Sequence, residues 1–152
     1  MARNRSDSVN EIASLWCEMM MRCKTISECI PGTDIKTLSD NEVYILRMIR
    51  NRQQIIIGDI STALNLPKST VTGLIARLEK KELIKRDLNP NDLRTYRLLL
   101  SEKGTEALHK YRQYEQAFFS LLLKPLNEEE SRAFYEILKS IVSRGGCANE
   151  KG

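Results

Sequence analysis

The stretch QQIIIGDISTALNLPKSTVTGLIARLEKKELI, residues 53–84, decides the fold. Ile55, Ile56 and Ile57 form a β-branched run too short for a helix, and Gly58 with Asp59 offers the turn and cap for a small helix through Leu64. Asn65 and Leu66 make a tight connection. Pro67 suits the first position of a second helix, where its missing N–H would have no partner in any case. In that second helix Val71, Leu74, Ile75 and Leu78 share one narrow arc, and the opposite arc holds Ser69, Thr72, Gly73, Ala76, Arg77 and Lys80. Ser69, Gly73 and Ala76 lack bulk, so this face can lie close to another surface. Gly73 lowers helix propensity by about 1 kcal/mol relative to Ala, a loss that such a contact would justify. Two short helices joined by a tight turn, the second with a polar outer face, make a helix-turn-helix, whose second helix enters the DNA major groove. For the second helix taken alone, a merely solvated face is the simpler reading.

Immediately downstream, Ile84 to Leu88 and Tyr96 to Leu100 read as strands. Ile84, Arg86 and Leu88 keep one two-residue period, and Tyr96, Leu98 and Leu100 another. Asn89 to Asp92, NPND, supplies turn residues. A hairpin directly after a recognition helix is a wing. Arg94 then lies at the wing's end, where a long, planar, permanently charged side chain enters a minor groove or grips a phosphate. Asp92, two residues before it, is placed to hold that guanidinium in one orientation.

The flanks are helical. Val9, Ile12, Trp16, Met19, Cys23, Ile26 and Ile30 alternate steps of three and four, a long helical seam that stops at Pro31 and Gly32. Ser39 with Glu42 is a capping box opening a second helix, and Leu38 with Val43 is placed as its hydrophobic staple. After Ser101, Leu108, Tyr111, Glu115, Phe118 and Leu122 run as a helix toward Pro125. Asn127 with Glu130 caps a last one carrying Phe134, Ile137, Leu138, Ile141 and Val142. The class is mainly α. The two long seams are more helical apolar surface than one small winged helix needs, which points to a dimer, with packing inside one chain as the alternative.

Composition agrees. The 152 residues suit one domain, and no apolar run approaches the length of about 20 residues that a membrane helix needs. The N-terminus has charges with no apolar core behind them, so a cytoplasmic protein with no membrane partner is expected. From Leu66 to Lys103 there are nine Lys and Arg against five Asp and Glu, so the whole net charge of +4 sits in one quarter of the chain. Such a local surplus is the footprint of a phosphate-meeting surface.

Catalysis and metal binding find little support. His109 is the single histidine, on a polar helix face beside Lys110, with no nucleophile or paired carboxylate placed to work with it, so no enzyme is expected. Cys17, Cys23 and Cys29 are each six apart, which turns successive side chains about 240° around a helix, so one helix cannot bring the three to one metal. Cys23 reads as a small core residue. Cys17 and Cys29 lie off the seam, near Arg22 and Lys24, and are the candidates for a thiol sensor.

The motif STVTGLIARLEKKELIKRDLNPNDLRTYRLLLSEKG, residues 69–104, resembles the signature of the MarR family of winged-helix transcriptional regulators, and the helix order over nearly the whole chain is similar to that family's. The resemblance implies a single domain over residues 1–152, with dimerisation helices at 1–32 and 101–146 around a winged-helix lobe at 37–100. It implies a homodimer on a pseudo-palindromic operator in double-stranded DNA, a repressor released by a small molecule or another signal, and no cofactor. Carried over by position, Ser69, Thr70, Thr72 and Arg77 face the major groove, Lys68 and Gly73 count with them as DNA-binding residues, Arg86 braces the wing or a phosphate, and Asp92 with Arg94 forms the wing tip. Glu82 departs from the family's usual glycine, so the turn there either changes conformation or holds a non-glycine residue at positive φ. Some members sense oxidants through a cysteine near the first helix, but the surroundings of Cys17, SLWCEMMMRC, match those members poorly. A winged helix used for protein contact without DNA is the remaining alternative.

Overall fold

Ser39 opens the helix at the centre of the fold. Its hydroxyl accepts from the Glu42 N–H at 3.3 Å while the Glu42 carboxylate accepts from the Ser39 N–H at 2.8 Å, the capping box expected from the sequence. The computed structural model describes residues 5–31, 38–52, 55–89 and 92–144, with backbone alone at 5–7, 89 and 92–95. Its elements are α1 (Arg5–Cys29), α2 (Asp40–Asn51), α3 (Ile57–Leu64), α4 (Lys68–Lys80), β1 (Ile84–Asn89), β2 (Asp92–Leu100), α5 (Glu102–Leu123) and α6 (Glu128–Arg144). They fall into two compact units, Gly32–Glu115 and Met1–Pro31 with Gln116–Gly152. The boundary lies inside α5.

In the first unit, α2, α3, α4 and the hairpin enclose one core. Ile45, Ile60, Ile75 and Leu78 are wholly buried there, Leu38 packs against this core, and Val43 is buried. The buried side of α4 is Val71, Leu74, Ile75 and Leu78, the arc read from the sequence. The start of α3 differs from expectation by a residue or two. Ile57 is already helical, Ile56 precedes it, and Asp59 sits at the third position, where its carboxylate accepts from the Ile56 N–H at 3.1 Å. Ile55 is buried, and its carbonyl accepts from Leu98 N–H at 3.2 Å, so the first residue of the isoleucine run lies beside the sheet while the last one opens the helix. Pro67 precedes α4 as its cap instead of occupying its first turn.

The sheet is an antiparallel hairpin with Ile84 opposite Leu100 and Leu88 opposite Tyr96, and its register shifts at Leu88/Asn89. Residues 90 and 91 of the expected turn lie outside the described residues.

Both tight connections use left-handed residues. Asn65, at φ 50°, closes α3, with Leu66 N–H donating to the Ser61 carbonyl. Glu82, at φ 62°, closes α4: its N–H donates to the Glu79 carbonyl at 2.8 Å and that of Leu83 to the Leu78 carbonyl at 3.0 Å, a complete Schellman closure around a non-glycine residue. The start of α5 is built onto this corner. Ser101 Oγ donates to the Glu82 carbonyl at 2.6 Å and accepts from Gly104 N–H at 2.9 Å, while Ser101 N–H donates to the Leu83 carbonyl. A Cβ on Gly104 would stand 2.0 Å from the Leu83 oxygen, so this glycine is required for the approach.

In the second unit, Asn127 and Glu130 form the expected reciprocal cap of α6, both bonds at 2.9 Å. The seam of α1 is half-buried at Met19, Cys23, Ile26 and Ile30 but exposed at Val9, Ile12 and Trp16.

Two outcomes follow for stability. Glu82→Gly should raise it by about 1 kcal/mol by relieving the left-handed strain, whereas Gly104→Ala should lower it by more than about 3 kcal/mol through overlap with the Leu83 carbonyl, both read from denaturant midpoints. The second concerns Glu42, which is buried and bonded to Lys81 Nζ at 3.0 Å. Burial pushes its carboxyl up, but the Ser39 N–H, the Lys81 ammonium and the Ser39 hydroxyl outweigh that, and the group titrates below its ordinary range. A depressed folded value means stabilisation complete above the ordinary carboxylate range and lost as the pH falls through it. Glu42→Gln should therefore cost about 1–2 kcal/mol at pH 7 and less at pH 3, measured by urea unfolding at the two pH values.

Candidate nucleic-acid interface

The outer side of α4 is open along its length. Lys68, Ser69, Thr70, Thr72, Gly73, Ala76, Arg77 and Lys80 are all exposed, opposite the buried arc. A Cβ added at Gly73 would meet no atom within 4 Å among the described residues, so nothing packed among them calls for a glycine there. Thr72 Oγ1 donates to the Lys68 carbonyl at 2.8 Å, which spends its proton on the helix and leaves its oxygen as an acceptor facing outward. The helix therefore presents cations near both ends and small or hydroxyl-bearing residues between them. This pattern admits a close, polar surface.

The wing is fastened to this helix by a charged pair. Arg86 on β1 donates through Nε to Glu79 Oε1 at 2.7 Å and through Nη2 to Glu79 Oε2 at 3.0 Å, a two-pronged bond across the corner that ends α4. Hydrogen bonding to Glu79 is the largest influence on the guanidinium and raises its pKa, so its charge is permanent. Across the hairpin, Arg97 grips Asp87 Oδ2 through Nη2 at 2.6 Å and Nε at 3.1 Å, and this bond holds the Asp87 carboxyl below its ordinary range. Glu79, Glu82 and Asp87, on α4, its closing turn and β1, each contact a basic side chain, Arg86, Lys103 and Arg97. Their negative charge is locally compensated, and the lysines and arginine of α4 set the sign of the potential there.

Of the residues selected from the sequence, the structure brings together the six on α4 and, through Glu79, Arg86. Asp92 and Arg94 lie in β2, but their side chains are outside the described residues. Cys17 and Cys29 are exposed on α1 and Cys23 is half-buried. Glu79 escaped the sequence reading because it sits seven residues from Arg86 across a turn, where no helical or strand period links them. Tyr96, read from the sequence only as a strand residue, is exposed opposite Leu88; with Ile56, Lys68 and Arg86 it borders a groove of about 320 Å³ between the wing base and the starts of α3 and α4.

A helix-turn-helix whose second helix bares a polar outer face, followed by an antiparallel wing braced against it, defines a winged helix-turn-helix DNA-binding protein. A family model described as MarR family matches residues 38–96, and the chain belongs to the MarR family: it is a transcriptional regulator with a DNA-binding fold, not an enzyme. The HTH-type transcriptional regulator YwhA of Bacillus subtilis is 28% identical over 119 residues, 78% of this chain and 86% of that one. The crystal structure of YusO from Bacillus subtilis matches with a TM-score of 0.72 at 18% identity, over 93% of this chain and 99% of that one. BpsR of Bordetella bronchiseptica, a structure concerned with regulation of DNA binding by 6-hydroxynicotinic acid, matches with a TM-score of 0.63 at 20% identity, over 87% and 98% of the two chains. Among the described residues no helix is long and apolar enough to cross a membrane.

If Glu79 and Arg86 brace the wing, Glu79→Ala should speed amide exchange along β1 and β2 several-fold while the amides of Val71, Leu74 and Ile75 keep their protection. Global stability should fall by less than about 1 kcal/mol, because the pair is partly exposed. Unchanged exchange in the wing would show that the pair does not brace it.

Proposed function

We propose that this chain represses transcription as a homodimer, laying α4 of each subunit in successive major grooves of a pseudo-palindromic operator and reaching the flanking minor grooves or phosphates with Arg94. The observation that carries this reading is the outer face of α4. Its glycine is unneeded by any packing among the described residues, and its hydroxyls and cations stand ready for a polar partner. In this reading Ser69, Thr70 and Thr72 meet base edges, Lys68 and Arg77 meet phosphates, and Gly73 lets the helix approach closely. Arg86 acts from behind, holding the wing at a set distance from the helix. Asp92 orients Arg94.

The dimer rests on the second unit, where Trp16 on α1 and Ile141 and Val142 on α6 are among the apolar side chains exposed in a single chain, Val142 at 82%. Two recognition helices related by a two-fold axis meet half-sites about one helical turn apart. A protein bound across such a site blocks access to the DNA beneath it, hence repression, and this work is done in the cytoplasm where the chromosome lies. Release by a small molecule is proposed by analogy with BpsR, whose DNA binding is regulated by 6-hydroxynicotinic acid. In this reading the exposed Cys17 and Cys29 make no contact with DNA.

Selection of bound sequences from random duplexes, followed by affinity measurements over a range of salt, tests the proposal, with sedimentation of the protein at micromolar concentration expected to give twice 17.5 kDa. Arg94→Ala should weaken the selected operator by about 3 kcal/mol per dimer, about 1.5 from each wing. It should also flatten the plot of log affinity against log salt by about 0.9 for each phosphate no longer neutralised. Thr72→Ala should relax preference at one base position and leave the salt slope unchanged. No selected sequence at any salt, with a dimer intact, would leave the winged helix as a protein-contact module.

A further inference from the structure

Of the three hydroxyl side chains Ser69, Thr70 and Thr72 on the outer face of α4, one has its proton fixed by the helix itself. Thr72 Oγ1 donates to the Lys68 carbonyl at 2.8 Å, and Lys68 is the first residue of α4. Thr25, Thr62 and Thr105 make the same four-residue bond in α1, α3 and α5, at 3.2, 3.0 and 2.9 Å, so Thr72 holds the rotamer that a helix offers a threonine standing a full turn inside it. Ser69 and Thr70 stand too near the start for this. The residue four before Ser69 is Asn65, outside the helix, and the carbonyl four before Thr70, that of Leu66, already accepts from the Ser61 hydroxyl at 2.7 Å.

The bond decides what Thr72 offers a partner. Two oxygens 2.8 Å apart repel unless a proton lies between them, so turning that proton outward requires χ1 to change as well. In the rotamer it holds, Oγ1 presents lone pairs only. Its neighbours do not shield it. Ser69 and Ala76, three before and four after it on the same side of the helix, and Gly73 beside it are all smaller, so a surface that settles on the middle of α4 meets Thr72. An acceptor is the wrong partner for a phosphate oxygen, which accepts too. In the major groove, purine N7, guanine O6 and thymine O4 are acceptors as well, and the donors are the exocyclic amines, adenine N6 and cytosine N4.

We propose that Thr72 reads an exocyclic amine, accepting from adenine N6 or cytosine N4 at one position of each half-site. It admits adenine where guanine would oppose it with O6, or cytosine where thymine would oppose it with O4, so it separates the two members of a transition pair. The inference rests on the DNA-binding reading and adds to it the polarity of one contact. Ser69 and Thr70, whose protons the helix does not claim in this way, are able to turn as donor or acceptor and impose no such choice.

The probe is a duplex carrying the operator selected by the parent protein. Comparison with the sequences selected by Thr72→Ala identifies the position whose preference is relaxed. At that position, in both half-sites, the adenine is replaced by the purine nucleoside without its amine, or the cytosine by 2-pyrimidinone. The parent should lose about fivefold or more in affinity for each amine removed, the worth of one hydrogen bond. Thr72→Ala and Thr72→Val should lose less than about twofold from the same replacement, because the partner oxygen is already gone. Thr72→Ser, which keeps the oxygen, should lose as much as the parent, and all three variants should retain the melting temperature, since the side chain is exposed. Equal loss in the parent and in Thr72→Ala, or parent-like preference in Thr72→Val, would overturn the inference; the second result would assign the contact to the γ-methyl group. A parent that selects no operator counts against the proposed function, whereas an operator bound by the parent with every preference unchanged in Thr72→Ala overturns this inference alone.

Discussion

Where α4 ends, the N–H of Leu83 turns back to the carbonyl of Leu78 and that of Glu82 to the carbonyl of Glu79, and this closure sets the direction of everything downstream. The wing leaves from it. The first turn of α5 is bonded to it through Ser101 and packed on it through Gly104, whose missing side chain lets the two backbones meet. Leu83 is buried at the same point and ties the corner into the core. One left-handed residue therefore fixes three elements relative to the recognition helix. That the residue is glutamate means the closure is held against a strain of about 1 kcal/mol by four backbone and hydroxyl bonds and the burial of Leu83. The Glu82–Lys103 ion pair is exposed and adds little to this.

Charge is sorted around that corner. Glu42 faces inward, capping α2 and receiving Lys81 from the end of α4, so the two helices are locked at one end by a buried carboxylate whose burial is offset by three donors. Glu79 and Asp87 are engaged by Arg86 and Arg97. The same pairs that stiffen the lobe mask its acids, so the local surplus of Lys and Arg is expressed on the face of α4. Stability and the positive face come from the same arrangement.

The parts of this that were legible in the sequence are the short-range ones. Ser39 with Glu42 and Asn127 with Glu130 close on themselves within three residues, and the arc Val71, Leu74, Ile75, Leu78 repeats at the helical period, so each can be read without knowing what lies opposite. Asp59 was misplaced because an acid near a helix start can serve as cap or as third residue, and the choice depends on Ile55, which the sheet draws toward Leu98. The conformation at Glu82 was open because the sequence pattern wants glycine there, and the bonds from Ser101 that help hold the corner come from nineteen residues away. Glu79 with Arg86 and Arg47 with Glu115 were invisible for the same reason: they join residues on different elements, where no period operates.

The seam of α1 shows the limit from the other side. Its period predicted a buried stripe, and in a single chain Val9, Ile12 and Trp16 on that stripe are each more than half exposed. Ile137, Ile141 and Val142 on α6 repeat the pattern. Six such side chains, each worth about 1.5 kcal/mol or more when covered, represent on the order of 10 kcal/mol, comparable to the whole stability of a domain this size and to the entropy lost on association. Periodicity reports that a face is apolar but not which chain covers it. In the proposed dimer the face on α1 and α6 is met by the same face of a second copy, so that the surface left unfinished by folding sets the spacing of the two recognition helices. DNA affinity then depends on protein concentration through the unit that never touches DNA.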